Sequence, residues 1–287
     1  MDISKLSWQP FDLAFDKEIH NALLQQHHAA QFIAMAGRYL VPREADDSNT
    51  NMEFLPESGS LAGHELPGGL HLSLQLLDLS LCLTNRSAEC IRKILLPGKS
   101  KGEVFDELKK VLSEQKVDVL HFKNELHYEM PAHTLDSSAK FSIANLQPFE
   151  ENVKGRYNAE IVLNEIVATF EGAEPLRIWP HHFDTGTILV LSKNDQGEAI
   201  QTIGIGWAIP DSMVSEPYFY LSFWSQEPKR KSGNIPALVA GKWMMPDWDG
   251  GVLRHSEILN AGSGTEQYKL VKSFYRSGIH ILMDQLI

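Results

Sequence analysis

The sequence predicts an α+β protein, with long helices packed on a mainly antiparallel, curved sheet. Three observations carry that prediction. Apolar residues recur at helical spacing over two long internal segments and again at the C-terminus. Stretches of period-two alternation cluster between those helices, without the strict one-for-one alternation of a doubly wound chain. No strand opens through a glycine-rich turn into a helix, so a dinucleotide-binding fold lacks its main mark.

The first helix is expected from Asp16 to Leu40. Ile19, Leu23, Ala30, Ile33 and Ala34 fall at helical spacing, and Pro42 ends it. A polar loop, Arg43 to Asn51, leads to a short strand near Met52–Leu55. In "GGLHLSLQLLDLSLCLTN", Leu70, Leu72, Leu74 and Leu76 alternate; the phase then slips by one to Leu77, Leu79, Leu81 and Leu83. With a side-chain period of two, such a slip marks a bulged strand or a strand pair around a tight turn. "KGEVFDELKKVLSEQKV" is a short amphipathic helix, with Val104, Leu108, Val111 and Leu112 on one face. "VDVLHFKNELHYEMP" reads as extended, ahead of a polar loop reaching Pro148. The second long helix is "FEENVKGRYNAEIVLNEIVATFEGA", closed by Gly172. Strands follow: a hairpin turning at "KNDQGE", then "EPYFYLSFW", then "GGVLRHSEIL". The last helix starts at Ser263, three residues before Glu266, a capping-box spacing. The chain reads as one compact unit, residues 1–287, with Asp136–Pro148 the best internal boundary (a half ending near 140, another starting near 149).

The 37 acidic residues outnumber the 26 basic ones, for a formal net charge of -11, which argues against a nucleic-acid partner. The one basic cluster, "PKRKSG" at Pro228–Gly233, reads as a solvated loop. No apolar run is long enough for a membrane span, and "MDISKLSWQPFD" has no apolar signal core. Cys82 and Cys90 cannot staple a chain of this size, so a soluble protein in a reducing cytoplasm is expected.

Candidate chemistry centres on "IWPHHFDTG", Ile178–Gly186. In an extended segment His182 and Asp184 share one face, and His181 and Phe183 the other. His182 would then act as acid/base with Asp184 orienting it, or the pair would bind a metal. The alternative is a strand end that happens to hold histidines. The same spacing recurs at His127–Glu129 and His255–Glu257, and no HExxH or paired-cysteine motif is present, so metal and cofactor stay open. Alternation in "EPYFYLSFW" puts Phe219, Leu221 and Phe223 on a core face. Tyr218, Tyr220, Ser222 and Trp224 take an amphipathic face, suited to a pocket wall or to a wet sheet surface. On the first helix, His20, His27 and Gln31 lie on roughly one face, where histidines are usually hydrogen-bonded boundary residues. Gly98-Lys99-Ser100 lacks the earlier glycine of a phosphate-binding loop, and no GxSxG elbow occurs.

The order of segments resembles an uncharacterised bacterial family known only as a domain of unknown function. The resemblance rests on His27-x-x-x-Gln31 with Gly37, "LPGGLHLSLQLLDLSL" followed by "VFDELKKVL", Trp179…Phe183-Asp184, "EPYFYLSFW", and Phe274-Tyr275 in the last helix. It implies a cytoplasmic bacterial protein with a shared site near Asp184, Glu216, His27 and Gln31, and no activity to carry over. The expected function is a small-molecule pocket lined by Trp179, His182, Asp184, Tyr218, Tyr220 and Trp224. The alternatives are a non-catalytic binding module using the same aromatic wall, and a structural or interaction protein.

Overall fold

The computed structural model describes residues 7–226 and 235–286. The basic cluster at Pro228–Gly233 lies outside them. Among the described residues, five α-helices and mainly antiparallel strands make an α+β fold, and the chain divides into two compact units.

The first unit holds residues 16–153 and 177–183. Its spine is α1 (Lys17–Leu40), capped by the Asp16 carboxylate, which accepts from the backbone N–H groups of Glu18 and Ile19. Every residue from Gln25 to Gly37 on this helix is buried, apolar and polar alike. The chain then forms an antiparallel meander, β1 (Glu53–Leu55), β2 (Ser60–Ala62), β3 (His71–Gln75), β4 (Ser80–Thr84) and β5 (Cys90–Leu95), in that spatial order. The leucine phase slip is the β3–β4 turn, where Leu79 takes φ 47. Cys90 opens strand β5, paired with Thr84, and does not lie in a loop; a disulfide joins it to Cys82. The bridge closes only the end of the β4–β5 hairpin, and the core holds the rest.

Helix α2 (Lys101–Glu114) starts with a capping box between Ser100 and Glu103 and buries Val104, Phe105, Leu108, Val111 and Leu112. The segment expected to be extended after it forms no strand. From Val117 to Leu146 the chain is irregular apart from one 3-10 turn, Thr134–Asp136, and Phe122, Leu135 and Phe141 anchor it in the core. Side chains from α1 replace the ladder a strand would need. Gln25 accepts from the Ser142 N–H, Gln31 from the Tyr128 hydroxyl, and Asn21 from His133 Nε2. Helix α3 (Gln147–Val167) begins in this unit and continues into the second. It ends at Val167, short of Gly172, whose positive φ of 87 serves a later turn. Strand β6 (Arg177–Trp179) returns to the first unit, bridging Ile178 to Met52 through two backbone hydrogen bonds.

The second unit holds residues 7–15, 154–176 and 184–286. Its antiparallel strands are β7 (Asp184–Lys193), β8 (Ala199–Ala208), β9 (Tyr218–Ser225), β10 (Lys242–Trp243) and β11 (Gly250–Arg254), in the order β10-β11-β9-β8-β7. The β7–β8 hairpin turns at Asn194–Glu198, as expected from "KNDQGE". "GGVLRHSEIL" is strand only to Arg254. His255–Leu259 then forms a short helix, α4, so His255 and Glu257 do not share a strand face. The last helix, α5 (Gly264–Leu286), carries the expected Ser263–Glu266 cap and packs on β9 and β11, with Val271, Phe274 and Tyr275 buried. No helix among the described residues is long and apolar enough to cross a membrane.

Candidate functional site

The residues of "IWPHHFDTG" are not one extended stretch. Pro180–Phe183 is a turn closed by the Phe183 N–H on the Trp179 carbonyl, 2.7 Å, with Phe183 at φ 52. The premise that His182 and Asp184 share a strand face therefore fails: strand geometry begins only at Asp184. His181 and His182 are both exposed, their rings 4.4 Å apart. Trp179 is half-buried, edge-on to His181 at 6.2 Å.

His27 and Gln31 sit beneath this turn, and both are buried. The Pro180 carbonyl accepts from His27 Nε2 at 2.8 Å and from Gln31 Nε2 at 3.0 Å. The His27 ring stacks on Phe183 at 4.7 Å and 5°. Both residues thus satisfy the buried Pro180 carbonyl and fix a loop.

Asp184, Tyr220 and Tyr218 come together in the second unit. The Tyr220 hydroxyl donates to Asp184 Oδ2 at 2.7 Å, and the Tyr218 hydroxyl to Asp211 Oδ2 at 2.6 Å. Burial raises both phenols, and Asp184 and Asp211 reinforce the shift. Beside them lies a residue absent from the sequence-based site, Arg156 on α3. It is fully buried, donates to Thr185 Oγ1 at 2.9 Å, and sits 5.3 Å from the Trp207 ring centre. Burial lowers its guanidinium to about 9, and the Asp184 charge opposes that fall. Gly155 and Gly206 let this cluster close. A Cβ on Gly155 would meet the Trp207 ring at 2.4 Å, and one on Gly206 the Tyr220 ring at 2.5 Å.

The amphipathic face of β9 is not an open wall. Tyr218 packs with Ala208, Val214 and Val252, and Tyr220, Met244 and Trp248 lie against the same cluster. Trp224, at the far end of β9, is 53% exposed and outside that cluster. Glu216 accepts from the Ser256 N–H and hydroxyl at 2.7 and 2.9 Å, anchoring the start of α4. No group of three or more metal-ligating side chains occurs among the described residues.

A second histidine centre, on α1, gave no motif in the sequence. His28 is wholly buried, with Nδ1 3.3 Å from Lys101 Nζ and 3.6 Å from Asp136 Oδ1, and its ring 5.3 Å from that of His133. An ammonium can only donate, so Nδ1 accepts and the ring proton sits on Nε2. Desolvation, then Lys101, brings His28 down to about 4 against the pull of Asp136.

An open concavity of the second unit lies elsewhere, between α3 and α5. It is a groove of about 690 Å³. Val162, Ile166 and Phe170 line it from α3 and the turn after it; Ile279 and Met283 line it from α5. Lys272, Arg276 and His280 stand one helical turn apart along the α5 side. Tyr268 and Lys272 of α5 hold Glu165 of α3 at 2.6 and 2.7 Å. The signal was present in the sequence as apolar and basic residues at spacings of three and four along α5, but it reads equally as an ordinary amphipathic helix.

No protein-family model, curated protein or solved structure matches the chain.

Proposed function

We propose that this protein binds a small, largely apolar molecule in the α3–α5 groove without transforming it. One observation carries the reading: a cleft of about 690 Å³ floored by Val162, Ile166, Phe170, Ile279 and Met283, within the size range of small-molecule sites. Binding is favoured over chemistry because the reactive groups around the groove are already engaged. The Tyr275 hydroxyl donates to the Gly206 carbonyl at 2.7 Å, the Thr169 hydroxyl to the Ile166 carbonyl at 3.1 Å, and Glu165 holds Tyr268 and Lys272. Of the residues first expected at a site, His27 and Gln31 pin a turn, Asp184 accepts from the Tyr220 hydroxyl, and His182 is exposed on that turn. A cytoplasmic setting is part of the same proposal and rests on the resemblance.

Titration with the neutral dye Nile red tests the groove. The expected result is a saturable rise in fluorescence that Ile166→Glu abolishes at an unchanged melting temperature. Equal dye binding by wild type and by folded Ile166→Glu would rule the groove out.

A further inference from the structure

We infer that the ligand of the α3–α5 groove is an amphipathic carboxylate, its acid group held by Arg276 and its apolar body lying toward Ile279 and Met283; the inference rests on the groove being the binding site. The argument is one of charge. In a chain of net charge -11, the α5 rim of the groove sets Lys272, Arg276 and His280 at successive turns. Lys272 and Arg276 at that spacing repel one another, and a carboxylate beside Arg276 would offset that repulsion. Two of the three have acidic neighbours. Lys272 lies 2.7 Å from Glu165 and also donates to the Tyr268 hydroxyl, and His280 lies 3.5 Å from Asp284. Arg276, between them, makes no ion pair among the described residues. A guanidinium offers a planar fork of donors that a carboxylate fills with two parallel hydrogen bonds.

The floor sets the other half of the ligand. From Arg276 to Met283 the helix rises about 10 Å, along which Ile279 and Met283 face Ile166 and Phe170 across the groove. A medium-length alkyl chain or an aryl group spans that distance. A polyanion fits less well, since Glu165 stands in the lining and already engages Lys272.

The test is equilibrium dialysis of the full chain against decanoate, 1-decanol and decyltrimethylammonium, with Arg276→Gln and Ile166→Glu beside the wild type. Arg276 is exposed, so Arg276→Gln is expected to fold normally. Wild type should hold decanoate roughly tenfold more tightly than 1-decanol and bind the ammonium most weakly. Arg276→Gln should bring decanoate and 1-decanol to within about threefold, leaving 1-decanol where it was, and high salt should do the same. Ile166→Glu should weaken both. Equal affinity for decanoate and 1-decanol, or a preference that survives Arg276→Gln, would overturn the carboxylate while leaving the groove as the site. If none of the three binds, or Ile166→Glu changes nothing, the groove reading itself falls, and the inference with it.

Discussion

Arg156 is the residue on which the second unit most depends. A guanidinium with no exposure to water is tolerable only when its charge is met, and Asp184, Thr185 and the Trp207 ring meet it. Arg156→Ala should lower stability by about 3–5 kcal/mol in urea unfolding, because it removes a fully buried guanidinium that Thr185 and Trp207 contact and the Asp184 charge supports. A loss under about 1 kcal/mol would mean that water reaches the pair. Tyr220→Phe removes one hydrogen bond to a charged group and should cost about 1.5–3 kcal/mol. His28 makes the corresponding prediction for pH. Its folded value is lowered from 6.5 to about 4, so the unfolded chain binds more protons between those values. Its contribution is therefore complete above pH 6.5 and is lost as pH falls toward 4, by at most about 3 kcal/mol. Unfolding measured from pH 7 to pH 4 should show that slope in the wild type and a shallower one in His28→Asn. Parallel slopes would take His28 out of the acid response.

Among the elements, α1 departs most from the pattern of a surface helix. Gln25, Gln26, His27, His28 and Gln31 are all buried, and each reaches a segment far along the chain. The helix was legible because helical period is a local property. The fate of its polar residues was not, because their partners, from Leu76 to Pro180, are dictated by tertiary packing. Gln31→Leu should cost about 2 kcal/mol, since it strips partners from the Tyr128 hydroxyl and from the Pro180 carbonyl. His182→Ala, on the exposed turn above, should stay within about 0.5 kcal/mol, a contrast that thermal melts can check. On β8, Gly206 faces the Tyr220 ring and the Thr185 carbonyl so closely that Gly206→Ala should destabilise by about 1–3 kcal/mol. Sequence alternation assigned the faces of β9 correctly. It could not show that Val214, Met244 and Trp248 cover the tyrosine face, since those residues arrive from loops and neighbouring strands.

At the scale of the molecule, a ligand in the α3–α5 groove binds only the folded chain, so decanoate should raise the melting temperature with a dependence on its concentration. At a free concentration one hundred times the dissociation constant the gain is about 2.7 kcal/mol, and Arg276→Gln should need more decanoate to reach it. By itself the sequence determined the α+β class, the three long helices, the β7–β8 hairpin and the net negative charge, and it narrowed the leucine phase slip to a bulge or a tight turn. All of these follow from composition or from periodicity within one segment. Tertiary structure decided which polar residues are tied down and which remain available. Phe183 turns where an extended strand was expected, because His27 and Gln31 supply donors about 150 residues away to the Pro180 carbonyl. Arg156 reaches the Thr185 hydroxyl only once α3 lies against the sheet. The groove exists because two helices, nearly a hundred residues apart in the chain, leave their facing sides unfilled, a property of their spacing in three dimensions and of neither helix alone.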